Sequence, residues 1–254
     1  IPIYQNSKYT LKMLNKKNIL FTKNLFGYEH IIPPPSNLPD NMHTLYLTDS
    51  ESNKELALSM GWDEVIVTHE FSHITDNFGR RSSIGYINSH PHKFIKNILD
   101  YNFVFMIDSN VQSFWVGYDD FVSSCSNEHA LYVTTRYYPV GIDNLHHELI
   151  RSNQDRWRYN FSEIKNSTEF YMEDLQKDGV DVDNLSICSA KYFGWNPHHK
   201  MYLFLTNFMY SEHKKHIQGN IVLTYLLGKY PNYIFNYKNN QYVGGSLTAH
   251  NYNA

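Results

Sequence analysis

Residues 101–110 have the sequence Tyr-Asn-Phe-Val-Phe-Met-Ile-Asp-Ser-Asn, and this stretch indicates how the chain folds. The apolar run from Phe103 to Ile107 has the length of a buried β-strand, and Asp108 follows at its carboxyl end. A carboxylate and an amide oxygen at a strand end can meet a divalent cation or a ribose hydroxyl. Taken alone, the Asp108-Ser109-Asn110 segment is weak evidence, because most such turns only reverse the chain.

Composition limits the classes of protein to consider. The chain has 254 residues, which fits one large domain, and its formal net charge is -3 with 14 histidines uncounted. This weak field predicts no nucleic-acid partner. Cys125 and Cys188 are too few for a disulfide framework, which predicts reduced thiols and a cytoplasmic location. There is no run of about 20 apolar residues, so we expect no membrane span in this chain.

The hydrophobic pattern predicts strands that alternate with helices. The predicted strands are Asn18–Thr22, Thr44–Leu47, Val65–Val67, Phe103–Ile107 and Leu131–Thr134. The predicted helices are Ser52–Met60, Ile84–Leu99 with Pro91 near a start or kink, Asn144–Ile164, Phe170–Lys177, Met201–Tyr210 and Gln218–Leu227. This alternation predicts an α/β fold with a mostly parallel sheet flanked by helices and a helical C-terminal part. Ligands on such sheets bind beyond the carboxyl ends of the strands.

Several short motifs occur in a fixed order along the first half of the chain. They are Ile19-Leu20-Phe21-Thr22, Phe26-Gly27-Tyr28-Glu29, Tyr46-Leu47-Thr48-Asp49, Gly61-Trp62, Arg80-Arg81, His90-Pro91-His92-Lys93-Phe94 and Ile107-Asp108-Ser109-Asn110. This order resembles the GT-A-like glycosyltransferase family that includes plant mucilage-related hexosyltransferases and their bacterial and viral relatives. The match covers roughly residues 18–140, about half the chain.

The resemblance implies a Rossmann-like GT-A domain over residues 1–254. Residues 1–140 would bind the nucleotide sugar, and residues 141–254 would form a helical half on the acceptor side. The implied enzyme is a hexosyl- or pentosyltransferase of glycan biosynthesis. It moves a sugar from a nucleoside-diphosphate sugar to a hydroxyl on a glycan, protein or small molecule.

The resemblance also implies a role for each matched residue. Phe26, Gly27 and Tyr28 would line the base and ribose of the nucleotide, and Asp49 would hydrogen-bond the nucleotide or hold the loop. The residues that would face the diphosphate are Arg80, Arg81, His90 and Lys93. Asp108 and Asn110 would take the positions of the GT-A metal and ribose ligands.

The metal site departs from the family pattern because Asn110 stands where relatives have aspartate. An amide adds no charge, so we expect Mn²⁺ or Mg²⁺ to bind weakly without the donor, whose diphosphate supplies most of the ligands. The alternative is that Arg80, Arg81 and Lys93 carry the phosphate charge without a metal.

The catalytic acid also departs from the pattern. Relatives carry Arg-Asp-Gln before an apolar helix, whereas Gln218-Gly219-Asn220 precedes Ile221 here, so the acid is absent. Besides Asp108, the candidates for the catalytic groups are Glu148 and Glu212, with His213 as a further one. The sequence does not select among them.

Two other functions compete with glycosyl transfer. Residues 69–73 contain His69-Glu70-Phe71-Ser72-His73, the zinc metallopeptidase signature, whose chemistry requires both histidines on one helical face. It follows the strand Val65–Val67 directly and lacks a third ligand at the usual spacing. The second alternative is a catalytically inactive carbohydrate-binding protein, which the missing C-terminal acid favours.

Overall fold

The computed structural model describes residues 18–27, 30–36, 38–109, 118–135, 144–154, 161–216 and 218–237. The strands are β1 Asn18–Asn24, β2 Met42–Thr48, β3 Glu64–Val67, β4 Val104–Ile107, β5 Leu131–Thr135, β6 Cys188–Trp195 and β7 Ile234–Tyr237. The helices are α1 Glu51–Ser59, α2 Asn77–Ser89, α3 Tyr118–Ser124, α4 Leu145–Gln154, α5 Phe161–Lys177, α6 Tyr202–His213 and α7 Gly219–Lys229. Short 3-10 turns span Pro91–Lys93 and Ile98–Asp100.

The strands form one mixed sheet in the order β3-β2-β1-β4-β6-β5-β7. The first four strands are parallel, β6 runs antiparallel to both of its neighbours, and β7 is parallel to β5. The α/β fold with a mostly parallel sheet is therefore confirmed. The carboxyl ends of β1, β2 and β4 lie at one edge, where β6 begins.

Side chains that alternate along β1 and β4 fill the cores on the two faces of the sheet. Ile19, Phe21 and Met106 belong to the larger core, into which the apolar residues of α7 pack. Leu20 and Phe105 belong to the smaller core on the other face. α7 is buried along Ile221–Gly228, which explains its apolar sequence. Lys23 and Asp108 continue the alternation of Phe21 and Met106, which places both residues on the face of the larger core.

The prediction of a helix over Ile84–Leu99 was wrong at both ends. α2 begins earlier, because the side chain of Asp76 accepts a hydrogen bond from Gly79 N and caps the helix. It ends at Ser89, since Pro91 cannot donate the next backbone hydrogen bond. α6 continues through the charged residues 211–213 that the sequence pattern separated from it.

The sequence pattern missed three elements, namely α3, β6 and β7. β6 has Lys191 and Gly194 among aromatic residues, and it is buried because it lies between β4 and β5 rather than because it is uniformly apolar. The predicted helix Asn144–Ile164 corresponds to α4 and the start of α5, with residues 155–160 outside the described part of the chain. Within the described residues, the helices fall short of the length and apolarity needed to cross a bilayer.

Candidate active site

The ends of β1 and β4 bring a lysine and an aspartate together. Thr22 Oγ1 donates to Ile107 O at 2.9 Å, which fixes the two strand ends side by side. Lys23 Nζ lies 3.5 Å from Asp108 Oδ1. The lysine side chain is 4% exposed and the aspartate side chain 34% exposed, so the carboxylate faces the open edge and the ammonium lies beneath it. The sequence analysis selected Asp108 but missed Lys23.

The Phe26-Gly27 turn follows β1 directly. Both residues have positive φ, 62° at Phe26 and 64° at Gly27, and a non-glycine residue adopts this conformation only when its surroundings stabilise it. Part of that stabilisation comes from Asp49, whose Oδ2 accepts a hydrogen bond from Phe26 N at 2.8 Å. Asp49 therefore holds the loop, which is one of its two predicted roles.

Arg80 joins this turn from α2. Its guanidinium carbon lies 5.3 Å from the centroid of the Phe26 ring, the geometry of a cation–π contact. Arg81 follows on the same helix and is half-buried. The structure thus brings Phe26, Asp49 and Arg80 together at the carboxyl edge of the sheet, beyond the same ends of β1 and β2.

His213, at the end of α6, lies buried between two glycines. A Cβ at Gly85 would lie 2.8 Å from His213 Cγ, and one at Gly219 would lie 3.8 Å from His213 Cε1. Burial, followed by the nearby charge of Lys23, lowers the pKa of His213 to about 4, so the ring is neutral at neutral pH. Among the described residues, the buried Nε2 has no hydrogen-bond partner.

The two predicted catalytic glutamates have different surroundings, although both are buried. Glu148 Oε1 lies 3.5 Å from Nδ2 of Asn220, in the first turn of α7. Asn220 Oδ1 also accepts from Ala190 N at 2.8 Å, which ties Glu148 to the start of β6. Glu212 instead accepts from Tyr171 OH at 2.9 Å and pairs with Lys215 Nζ at 2.8 Å.

Two of the four predicted diphosphate ligands, His90 and Lys93, lie elsewhere. Trp195 pairs with Val104 at the amino end of β4, and its Nε1 donates to Asn88 O at the end of α2. His90 and Lys93 follow Asn88, so the structure places them at the amino edge of the sheet. Arg80 is the fourth residue of α2, and His90 follows ten residues later, about 15 Å further along the helix axis. They are therefore not brought together with Asp108.

The metallopeptidase motif does not form a helix. Residues 68–76 form turns between β3 and α2, in which Ser72 N donates to His69 O at 3.2 Å and Ile74 N to Phe71 O at 3.0 Å. Two imidazoles therefore do not share one helical face, as that mechanism requires.

A divalent cation has few ligands in the described part of the site. Tyr28 and Asn110 lie outside the described residues. Asp108 is the described member of the predicted metal pair, and its Oδ1 faces the ammonium of Lys23. The described residues contain no group of three or more His, Cys, Asp or Glu side chains that could hold a metal ion. A cation at Asp108 would meet a like charge, so the described residues alone do not form a metal-binding site.

Comparisons with known proteins support the fold. No protein-family model matches the chain, and no curated protein sequence matches it either. The structure of mouse xyloside xylosyltransferase 1 in its apo form aligns with a TM-score of 0.50 and 7% identity, over 87% of this chain and 85% of that one. At this identity the similarity concerns the fold, which is GT-A-like as predicted.

Two further structures align at lower scores. The mannosyltransferase Ktr4p from S. cerevisiae has a TM-score of 0.43 and 10% identity, over 94% of this chain and 76% of that one. The bifunctional glycosyltransferase WbbM has a TM-score of 0.45 and 10% identity, over 93% of this chain and 40% of that one.

Proposed function

We propose that the chain is a glycosyltransferase that uses a nucleoside-diphosphate sugar as donor and a hydroxyl of a glycan, protein or small molecule as acceptor. The observation that carries the proposal is the grouping of Asp108, Lys23 and the Phe26 turn at the carboxyl edge of a GT-A-like sheet. Ligands of open α/β sheets bind at this edge. The name of the mouse structure, a xylosyltransferase, agrees with this activity.

The reaction makes one bond and breaks another. The acceptor oxygen forms the new bond to the anomeric carbon and gives up its proton to a base. The bonding pair of the old carbon–oxygen bond leaves with the diphosphate, which gains one negative charge. The main electrostatic task of the site is to stabilise that departing charge, and positive groups at fixed positions do this best.

Each described residue has a place in this scheme. The Phe26 ring, fixed by its backbone bond to Asp49 and covered by Arg80, offers an apolar surface for the nucleotide. Asp108 faces the open edge, where it would contact the donor. Both glutamates stay candidates for the base: the Glu148 carboxylate contacts Asn220, and the Glu212 carboxylate accepts from Tyr171 and pairs with Lys215.

Several parts of the sequence-based prediction of function stay predictions. The nucleotide, the sugar and the acceptor are to be identified by experiment, and the cytoplasmic location stays a prediction. So does the contribution of Mn²⁺ or Mg²⁺, for which Asp108 is the described candidate ligand.

A thermal-shift screen against nucleotide sugars, with and without Mn²⁺, tests the proposal. A donor at 100 times its dissociation constant adds about 2.7 kcal/mol to the free energy of unfolding. We expect one base and sugar to stabilise the protein and to be consumed when acceptors are added. Absence of stabilisation by every nucleotide sugar, in either condition, would contradict the proposal. Stabilisation by glycans alone, without turnover of any donor, would favour the carbohydrate-binding alternative.

A further inference from the structure

Lys23 is a buried cation whose described pairing is incomplete. Removing an ammonium from water is costly unless strong partners compensate for the lost hydration. The contact to Asp108 Oδ1 is 3.5 Å long, whereas charge-assisted bonds between nitrogen and oxygen are about 2.7–2.9 Å long. The carboxylate is also partly shared with solvent. The ammonium therefore has capacity for a second, stronger anionic partner at the carboxyl edge of the sheet.

The surroundings of Lys23 favour an anion. Burial and the charge of Lys23 lower the pKa of the nearby His213 ring, which is neutral at neutral pH and therefore adds no charge beside the Lys23 ammonium. Its Nε2 is buried and has no hydrogen-bond partner among the described residues. Beside this ring begins α7, an 11-residue helix. Backbone N–H groups at a helix N-terminus attract anions.

We propose, building on the glycosyltransferase function above, that Lys23 binds the donor diphosphate and takes the place of a divalent cation. In the donor-free site the Lys23 ammonium is paired with Asp108. When the donor binds, its phosphate oxygens become the main partners of the ammonium. The charge that the diphosphate gains as the sugar leaves then develops next to Lys23, which stabilises it.

The same geometry opposes a metal at Asp108. A divalent ion bound to this carboxylate would stand within a few ångströms of the Lys23 ammonium, and like charges at that distance repel strongly in a partly buried site. One carboxylate that is already paired offers little net negative charge to a hard cation. The sequence offered two ways to neutralise the diphosphate charge, a divalent cation or basic residues. The position of Lys23 favours the basic residues.

Binding of inorganic pyrophosphate in EDTA, measured by calorimetry on the full chain, tests the assignment. We expect Lys23→Gln to weaken this binding at least about tenfold and Lys23→Arg to weaken it less, because arginine keeps the charge. Lys96→Gln is the matched control, since Lys96 is an exposed lysine outside the site, and it should bind pyrophosphate like the wild type. Equal binding by the wild type and Lys23→Gln, or binding by the wild type only when Mn²⁺ is present, would overturn the proposal.

Asp108→Asn gives a second measurement, independent of whether Lys23→Gln folds. It frees the ammonium from its counter-charge, so pyrophosphate in EDTA should bind as tightly as to the wild type or more tightly. Loss of that binding would show that the Asp108 carboxylate itself is needed to hold the anion and would overturn the proposal. Turnover of nucleotide sugars by the wild type separates the two levels. Turnover that requires Mn²⁺ would refute only the proposed role of Lys23. Failure of all donors to bind in any condition would refute the glycosyltransferase function itself.

Discussion

The two ends of α2 carry similar basic residues in different surroundings. At the first end, Arg80 covers the Phe26 ring beyond the ends of β1 and β2. At the second end, His90 is buried, with its Nε2 3.2 Å from Asn207 Oδ1 and its ring packed near Tyr86 and Tyr210. The first end can offer charge to a ligand, whereas the second end connects α2 to α6. Basic residues close together in sequence can thus belong to a site and to the core of one protein.

The largest expected effect is at the carboxyl edge of the sheet, near the first end of α2. Asp108→Ala should lower kcat at least about 100-fold while the protein stays folded, because it removes the carboxylate that positions the Lys23 ammonium where the donor binds. Initial rates with the donor found by screening give the measurement, and the melting temperature is the control. Wild-type turnover by a folded variant would contradict the assignment of this edge as the active site.

A substitution at the second end of α2 should change the stability of the protein rather than its catalytic rate. His90→Ala removes a buried ring together with its bond to Asn207, and we expect the free energy of unfolding to fall by about 2–3 kcal/mol. At a temperature where the variant is folded, kcat and KM should equal those of the wild type. A large rise in KM without loss of stability would return His90 to the donor site.

Lowering the pH should also reduce the stability that the second end of α2 contributes. Burial, with His90 and Lys93 nearby, lowers the pKa of His92 in the folded chain to about 4, whereas the unfolded chain has the ordinary value near 6.5. Between these values the unfolded state binds more protons, so stability is full above about pH 6.5 and falls as the pH drops towards 4. The buried His213 and His216 act in the same direction. Urea unfolding at about pH 7 and about pH 5 should show a smaller loss for His92→Gln than for the wild type.

A smaller effect distinguishes the two ends directly. Arg80→Ala should raise KM for the donor about fivefold through loss of the cation–π contact that covers the Phe26 ring. Lys93→Ala, an exposed position at the other end, should leave KM unchanged. If both substitutions raised KM equally, the separation of the two ends described above would be wrong.

Substitutions in the turn that leads into α2 should not affect glycosyl transfer. His69→Ala and Glu70→Ala should both keep wild-type rates, because residues 68–76 form turns rather than a metal-binding helix. Elemental analysis of the purified wild type provides the control. Stoichiometric zinc that is lost on mutating His69 would revive the metallopeptidase hypothesis.

The sequence predicted the parallel part of the sheet well, because short apolar runs such as Phe103–Ile107 have the length of buried strands and are followed by turn residues. It failed where the fold depends on position in the sheet. β6 is central although its sequence contains a lysine and a glycine, and this follows from its pairing with β4 and β5. His90 and Lys93 could not be placed without knowing that α2 runs back to the amino edge.

Lys23 was the residue of the candidate site that motif comparison did not find. A signal was present, namely a lysine near the end of a fully buried strand, three residues before a Phe-Gly turn. Its meaning depends on β1 lying beside β4, a neighbour 85 residues away in sequence. Pairwise contacts of this kind arise from sheet order, and the sheet order was not deducible from one sequence.

Gly219 limits which residues its position can accept. A Cβ at this position would lie 2.9 Å from Ala190 Cβ. Ala190 N donates to Asn220 Oδ1, so the start of β6 cannot move away from α7 without straining that bond. A larger residue at position 219, aspartate included, would therefore require compensating substitutions around β6. This part of the molecule accepts sequence change only when several positions change together.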